Sequence, residues 1–417
     1  AIVLMREAVS RNRKDGMAWY TLGLAQAGAG KAADAVYSFK TAADLRPDDE
    51  VVRIAMEDAV VDSSSPEATS REAFADWHFK RGKEFEDRSL FDQAIFEYRR
   101  GLRLYPYSKK GRVLYANLLQ TRGYPGKYLS ELQFLKDNGK ADQAVLDSIE
   151  IYDSLLTDAV GRDWNIDEQA LPKRPYRIAL MYLDQPSLAI HTALGEVLLR
   201  YLKDVLASSG RVSVLPTPSR ADSLSEAFRI ARGAEADYFA LLSGKETDRD
   251  LVITAELRVG RTGSPAGSYT AYRTGNDRVK NSSIRIADLL VGSLPIKGKI
   301  LQRSQDRVLV DLGKSEGLAK GAKLLVIKSG GIRTQAEGIG LSWDPAAQLG
   351  SIDLSRAGEE ASEGSLKLAG FFDTVNIGDE VLLAPAPAKA GGAPPAPVPA
   401  PAASPFPGLF MAIRQLR

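Results

Sequence analysis

The tightest constraint on the fold is a spaced set of small and aromatic residues between Gly16 and Asp49. It runs Trp19, Leu22 and Gly23, then Ala35, Phe39 and Ala42, and ends at Pro47. Steps of three, four and seven place each group on one face of a helix. Small residues at Gly23 and Ala35 let two antiparallel helices touch, where a branched side chain would hold them apart. Pro47 cannot continue the second helix. A helix pair of this kind cannot cover its own apolar face, so copies must stack. A second copy carries Trp77, Gly82, Phe85, Ala94, Tyr98, Gly101 and Pro106. It follows the first by 59 residues (Ala35 to Ala94), which predicts an extra helix over 49–61 and a loop over 63–70. Residues 109–135 and 141–156 keep the helical period without the signature residues and are expected to close the array. Ala1, Met5 and Ala8 fit the second helix of a preceding unit, so the array is expected to continue upstream of Ala1.

Those residues resemble the tetratricopeptide (TPR) pattern, and residues 1–170 are read as one TPR-like solenoid. The resemblance implies a concave groove that takes a peptide or helix. On this register the groove positions are Met17, Tyr20 and Leu24 of the first copy, with Ala27 beside them. The second copy offers Phe79 and Lys83 between Asp76 and Glu86. The first set is apolar, which argues against a carboxylate clamp and for an apolar helix or strand as occupant. Gly28-Ala-Gly-Lys31 looks like the tail of a phosphate loop, but no strand precedes it and Ala32 stands where Ser or Thr is needed.

The period changes at Pro172 and Pro175. Strands are expected at 177–183, 212–215, 238–242, 251–259 and 268–274, with helices at 188–206, 224–234 and 282–294. This order specifies an α/β domain with a mixed sheet over 175–295. From 296 to 384, short β runs alternate with glycine turns, at 298–302, 307–312, 323–327, 350–354, 365–368 and 380–383. Six short strands at this spacing predict a small closed barrel. Gly321 and Gly378 end two similar turns and are expected to supply a left-handed backbone. Residues 385–407 hold 9 of the 21 prolines and one charge, Lys389, and read as an extended linker. The terminal peptide 408–417 is apolar and basic. With Phe406 it is read as a docking motif through Leu409, Phe410, Ile413, Arg414, Leu416 and Arg417.

Composition narrows the chemistry. The chain has no Cys and two His, at 78 and 191, which excludes disulfides, thiol nucleophiles and Cys- or multi-His metal sites. No cofactor and no metal are expected. The net charge of +2 gives no reason to expect nucleic acid. No run is long and apolar enough to cross a membrane. His78 is read as a packing residue of a repeat helix and His191 as a solvent-facing one. A hydrolase reading would need Asp184, Ser187 and His191 together, without a nucleophile elbow or oxyanion glycines.

The second half adds a resemblance. RIALMYL, VSVLPTP and ADYFALLSG, followed by the barrel runs KGKI, VLVDLG, GLAKG and LLVI, resemble the family of envelope-associated proteins that includes the curli secretion lipoprotein and the flagellar T-ring protein. With repeats in front, the narrower likeness is to spirochaete-type periplasmic flagellar collar scaffolds. The expected fold is multidomain α+β: a TPR α-solenoid, a central α/β domain, a small β-barrel, and a Pro/Ala linker with a terminal amphipathic peptide. The resemblance implies a non-enzymatic, periplasmic or envelope-associated scaffold. Its partners would be other protein subunits of a flagellar or secretion assembly, with self-association. The alternative is a soluble peptide-binding TPR co-chaperone. The α/β and barrel domains are expected to form a rigid unit, with the array pivoting on residues 163–175.

Overall fold

The computed structural model describes residues 1–156, 159–183 and 190–384. The N-terminal region is a stack of helices: α1 (Ile2–Arg11), α2 (Gly16–Gly28), α3 (Ala32–Leu45), α4 (Glu50–Ser63), α5 (Glu72–Asp87), α6 (Phe91–Leu104), α7 (Lys109–Thr121), α8 (Pro125–Asp137), α9 (Gln143–Leu155) and the single turn α10 (Val160–Asp163). Asp15, Asp49, Ser108 and Asp142 stand at N-caps, and each side chain accepts a bond from a backbone N–H of the first turn. The repeat residues do what their size predicts. A Cβ on Gly23 would lie 2.6 Å from the Phe39 ring, and one on Gly82 would lie 2.5 Å from Tyr98. Helix α4 fills the gap between the two copies, as their 59-residue spacing requires.

The α/β region comprises β1 (Tyr176–Leu183), α11 (Leu194–Leu206), β2 (Val212–Val214), β3 (Arg220–Ala221), α12 (Leu224–Gly233), β4 (Tyr238–Glu246), β5 (Asp250–Val259), β6 (Pro265–Thr274) and α13 (Arg278–Ser293). The sheet order is β2-β1-β4-β5-β6, with β3 also beside β1. Strand β1 is parallel to β2, β3 and β4, whereas β4, β5 and β6 run antiparallel. Alternate residues of the inner strands serve opposite faces. Ile178, Leu180, Tyr238 and Ala240 pack with α11 and α13, while Ala179, Met181, Phe239 and Leu241 pack with α12.

The last region holds β7 (Lys297–Ser304), β8 (Arg307–Val310), β9 (Lys323–Ile327), β10 (Arg333–Thr334), β11 (Leu341–Ser342), β12 (Gln348–Ala357), β13 (Ser362–Leu368) and β14 (Glu380–Leu383). Six of these close a barrel in the order β12-β13-β8-β7-β14-β9. Gly321 and Gly378 have φ of 86° and 90°, the left-handed turns the sequence requires. The pair β10–β11 is an excursion from the barrel that reaches the α/β region. There the Gly338 N–H donates to the Pro265 carbonyl (3.1 Å), and Leu341 joins the core of the sheet.

The expectation of a pivoting array is corrected. A single apolar cluster runs from Tyr20, Phe39, Val52 and Phe96 of the helices to Leu198, Tyr201, Leu242 and Ile253 of the α/β region. The stretch proposed as the hinge is itself packed. Val160, Trp164, Ile166 and Leu171 contact Leu309 and Ala361 of the barrel, and the Trp164 indole donates to Glu363 (2.8 Å).

Candidate interaction site

The residues expected to line an open groove are placed otherwise. Tyr20 and Phe79 are buried. Tyr20 sits edge-on to the His191 ring at 5.5 Å, and Phe79 is wedged among the helices, with Cβ positions of Gly101 and Gly111 pointing at its ring. Both are therefore corrected from partner-binding to core residues. Met17 and Leu24 are half-buried against the same core. Lys83 stays at the surface beside Glu86 and Asp87 of its own helix. The linker 385–407 and the C-terminal peptide, with Phe406, Leu409, Phe410, Ile413, Arg414, Leu416 and Arg417, lie outside the described residues, as do Asp184 and Ser187.

The chain's own α11 and α13 pack instead against α4 and α6 of the array. The contact has an aromatic centre, where Phe96 of α6 stacks on Tyr201 of α11 at 5.2 Å with ring planes 6° apart. Charges surround it. The His78 ring nitrogens lie 2.8 Å from Glu57 and 2.6 Å from Glu97. Arg100 bridges Glu57 (2.6 Å) to Asp204 of α11 (2.7 Å), and Lys280 of α13 donates to Glu97 at 2.6 Å. Burial alone would lower the His78 pKa, but Glu57 and Glu97 outweigh it and hold it raised. Burial would raise Glu57, yet His78 and Arg100 hold it down at about 2. Each buried charge of the network thus faces an opposite one, which offsets the cost of its burial.

A second cluster lies along the same interface. Asp49 approaches His191 Nε2 at 3.0 Å, while Glu246 approaches Nδ1 at 2.9 Å and is itself paired with Arg278 at 3.2 Å. Burial works against a charged His191, but hydrogen bonds to the two carboxylates push its pKa up to about 9. The solvent-facing reading of His191 is therefore corrected: it is an enclosed cation. Sequence reasoning missed these ionic residues, although α6 carried a signal. Its Ala94, Tyr98 and Gly101 face α5, yet Phe96 lies on another side between Glu97 and Arg100. An aromatic there needs a second cover.

Two carboxylates also cross between regions to finish helix ends. Glu50 of α4 accepts from the Val279 and Lys280 amides at the start of α13 (2.7 and 3.2 Å). Glu359 of the barrel accepts from the Gly126 and Lys127 amides at the start of α8 (2.8 and 3.0 Å). Neither helix has a side-chain cap of its own at its N-cap residue.

An open cleft of about 380 Å³ lies along the contact of the array with the α/β region, lined by Glu50, Trp77, His78, Tyr201 and Lys280, and a larger one of about 760 Å³ lies where α6, α7, α8, α11, α13 and the barrel meet. Its apolar lining includes Ile95, Leu119, Val205, Ile284 and Val291. Arg99, Arg122, Arg211 and Lys314 also line it, and none of these has a carboxylate ion-pair partner among the described residues; the carboxylates Asp92, Asp204, Asp288 and Glu316 line it too, in smaller number than the cations. Arg211 donates to the Leu294 carbonyl, and burial holds its guanidinium below its ordinary value.

Comparison with known proteins gives a partial match. The second-domain model of the TPASS_0648 family matches residues 175–291, the α/β region. No curated protein matches the chain. Among solved structures, the PelC dodecamer from Paraburkholderia phytofirmans is 16% identical, covers 27% of this chain and 88% of its own, and has a TM-score of 0.21. MamA is 16% identical, with coverage of 34% and 90% and a TM-score of 0.18. TTC0263, a TPR protein of Thermus thermophilus, is 20% identical, with coverage of 37% and 88% and a TM-score of 0.16.

Proposed function

We propose that this chain is a non-enzymatic scaffold of a bacterial envelope assembly, an accessory ring or collar component of a flagellar motor or secretion machine. The observation that carries the reading is the packing of the array on the α/β region. Helices α4 and α6 meet α11 and α13 through paired buried charges and the Phe96–Tyr201 stack, so the array becomes part of one block. A block with an apolar, cationic cleft at its centre is built to hold other protein subunits in fixed geometry. The absence of Cys suits a periplasmic setting, and the resemblance of the second half to envelope secretion and flagellar proteins supports that placement.

A co-chaperone reading is disfavoured because Tyr20 and Phe79, which would line a peptide groove, are buried. A hydrolase reading is disfavoured because His191, with a pKa near 9 between two carboxylates, is a poor general base at neutral pH. The test is in-cell photo-crosslinking from cleft positions of the full chain, followed by membrane and basal-body fractionation. Crosslinks to envelope subunits in the assembly fraction are expected. Recovery of the chain free in the cytosol, crosslinked to no such subunit, would refute the proposal.

A further inference from the structure

The last long helix of the array, α9, has an outer side that no other element covers among the described residues. Val145 and Ile149 are its buried residues and face α8. Ala144, Asp147, Ile151 and Leu155 follow one another at steps of three, four and four, so they form one stripe along the helix. Ile151 and Leu155 are 55% and 65% exposed. Asp147 and Glu150 flank them without a cation partner among the described residues, and α9 contains no Lys or Arg. An acidic, apolar helix about 20 Å long is thus presented to the outside.

The cleft is its complement. Apolar Leu119, Ile284 and Val291 lie among the cations Arg99, Arg122, Arg211 and Lys314, which with Arg100, Arg103 and Lys127 outnumber the carboxylates Asp92, Asp204, Asp288 and Glu316 of the same lining. We propose that α9 of one copy docks into this cleft on a second copy, so that the protein associates head to tail. Val145, Ile149 and Tyr152 pin α9 to its own array, so the outer stripe faces away from it and is free for another molecule. The two surfaces are different patches of one chain. Such a contact is heterologous: repeated, it closes a ring or extends a filament. The charge match sets orientation and encounter rate, and the apolar stripe supplies the contact area.

The inference rests on the scaffold reading, and the test separates the two. Self-association of the full chain is followed by sedimentation velocity. Asp147→Lys with Glu150→Lys on α9, and separately Arg122→Glu with Lys314→Glu in the cleft, should each weaken association roughly tenfold or more. Circular dichroism and melting temperature check that both variants stay folded. Mixed together, the two variants should co-assemble, because one retains an intact cleft, the other an intact α9, and their two exchanged surfaces also match in charge. Placing all four substitutions in one chain should restore association by exchanging the charges. The proposal fails if either variant associates like the parent. It also fails if the mixture does not pair, or if deleting residues 406–417 abolishes association while α9 and the cleft are intact. A parent chain that stays monomeric would also overturn the docking, while leaving the scaffold reading to its crosslinking test.

Discussion

His191 ties three parts of the sequence together: its own turn, Asp49 on the array and Glu246 on β4. Its folded pKa of about 9 exceeds the ordinary 6.5, so the folded state binds the proton more tightly. The stability this supplies is complete below about pH 6.5 and is lost as pH rises towards 9. The shift corresponds to about 3 kcal/mol. Glu50 acts in the same direction. Burial pushes its carboxyl up to about 8 from 4.5, so its preference for the folded state fades between those values. Asp49 and Glu57, held at about 2, set the opposite limb: their contribution is present above their ordinary values and is lost as pH falls through 2. We therefore predict that the melting temperature falls between pH 6 and 9, and that His191→Gln flattens that limb. An unchanged slope in the variant would contradict the assignment. Little of this was legible in the sequence. Asp49 and His191 are 142 positions apart, and an isolated His near a helix start reads as solvated until its distant carboxylates are in place.

At the scale of helices and strands, steric rules were legible because they are local. Gly23 and Gly82 announce helix contacts through nearby Phe39 and Tyr98. Gly111 was less obvious because the ring it accommodates belongs to Phe79, 32 residues earlier, and a Cβ there would lie 2.1 Å from that ring. Gly292 of α13, by contrast, has open space where a methyl group would project. Gly111→Ala should destabilise the protein by about 2 kcal/mol through overpacking, while Gly292→Ala should be neutral or stabilise it by about 0.5 kcal/mol. Urea denaturation measures both, and equal effects would mean the α5–α7 contact is slacker than described. The six barrel strands were readable from their short β runs between glycine turns. The β10–β11 excursion was not, because two-residue strands carry no periodic signal and depend on a surface contributed by another region. The larger open cleft was likewise unreadable, since its lining comes from five helices and a barrel turn.

For the molecule as a whole, the buried contact of α4 and α6 with α11 and α13 means that the helical array is not a free-standing module. A fragment of residues 1–163 would expose Phe96 and leave Glu97 and Arg100 without Lys280 and Asp204. It should melt well below the full chain, over a broader range. A fragment as stable and as cooperative as the intact protein would show that the α/β region adds nothing to the array. The two crossing carboxylates extend the point from stability to time. A chain emerges amino end first, so Glu50 is already waiting when α13 appears. Helix α8 must instead stand with loose leading amides until Glu359 arrives, more than 200 residues later. The front of the molecule is thus completed by its rear, and a chain interrupted before the barrel keeps a frayed early helix as the mark of unfinished synthesis.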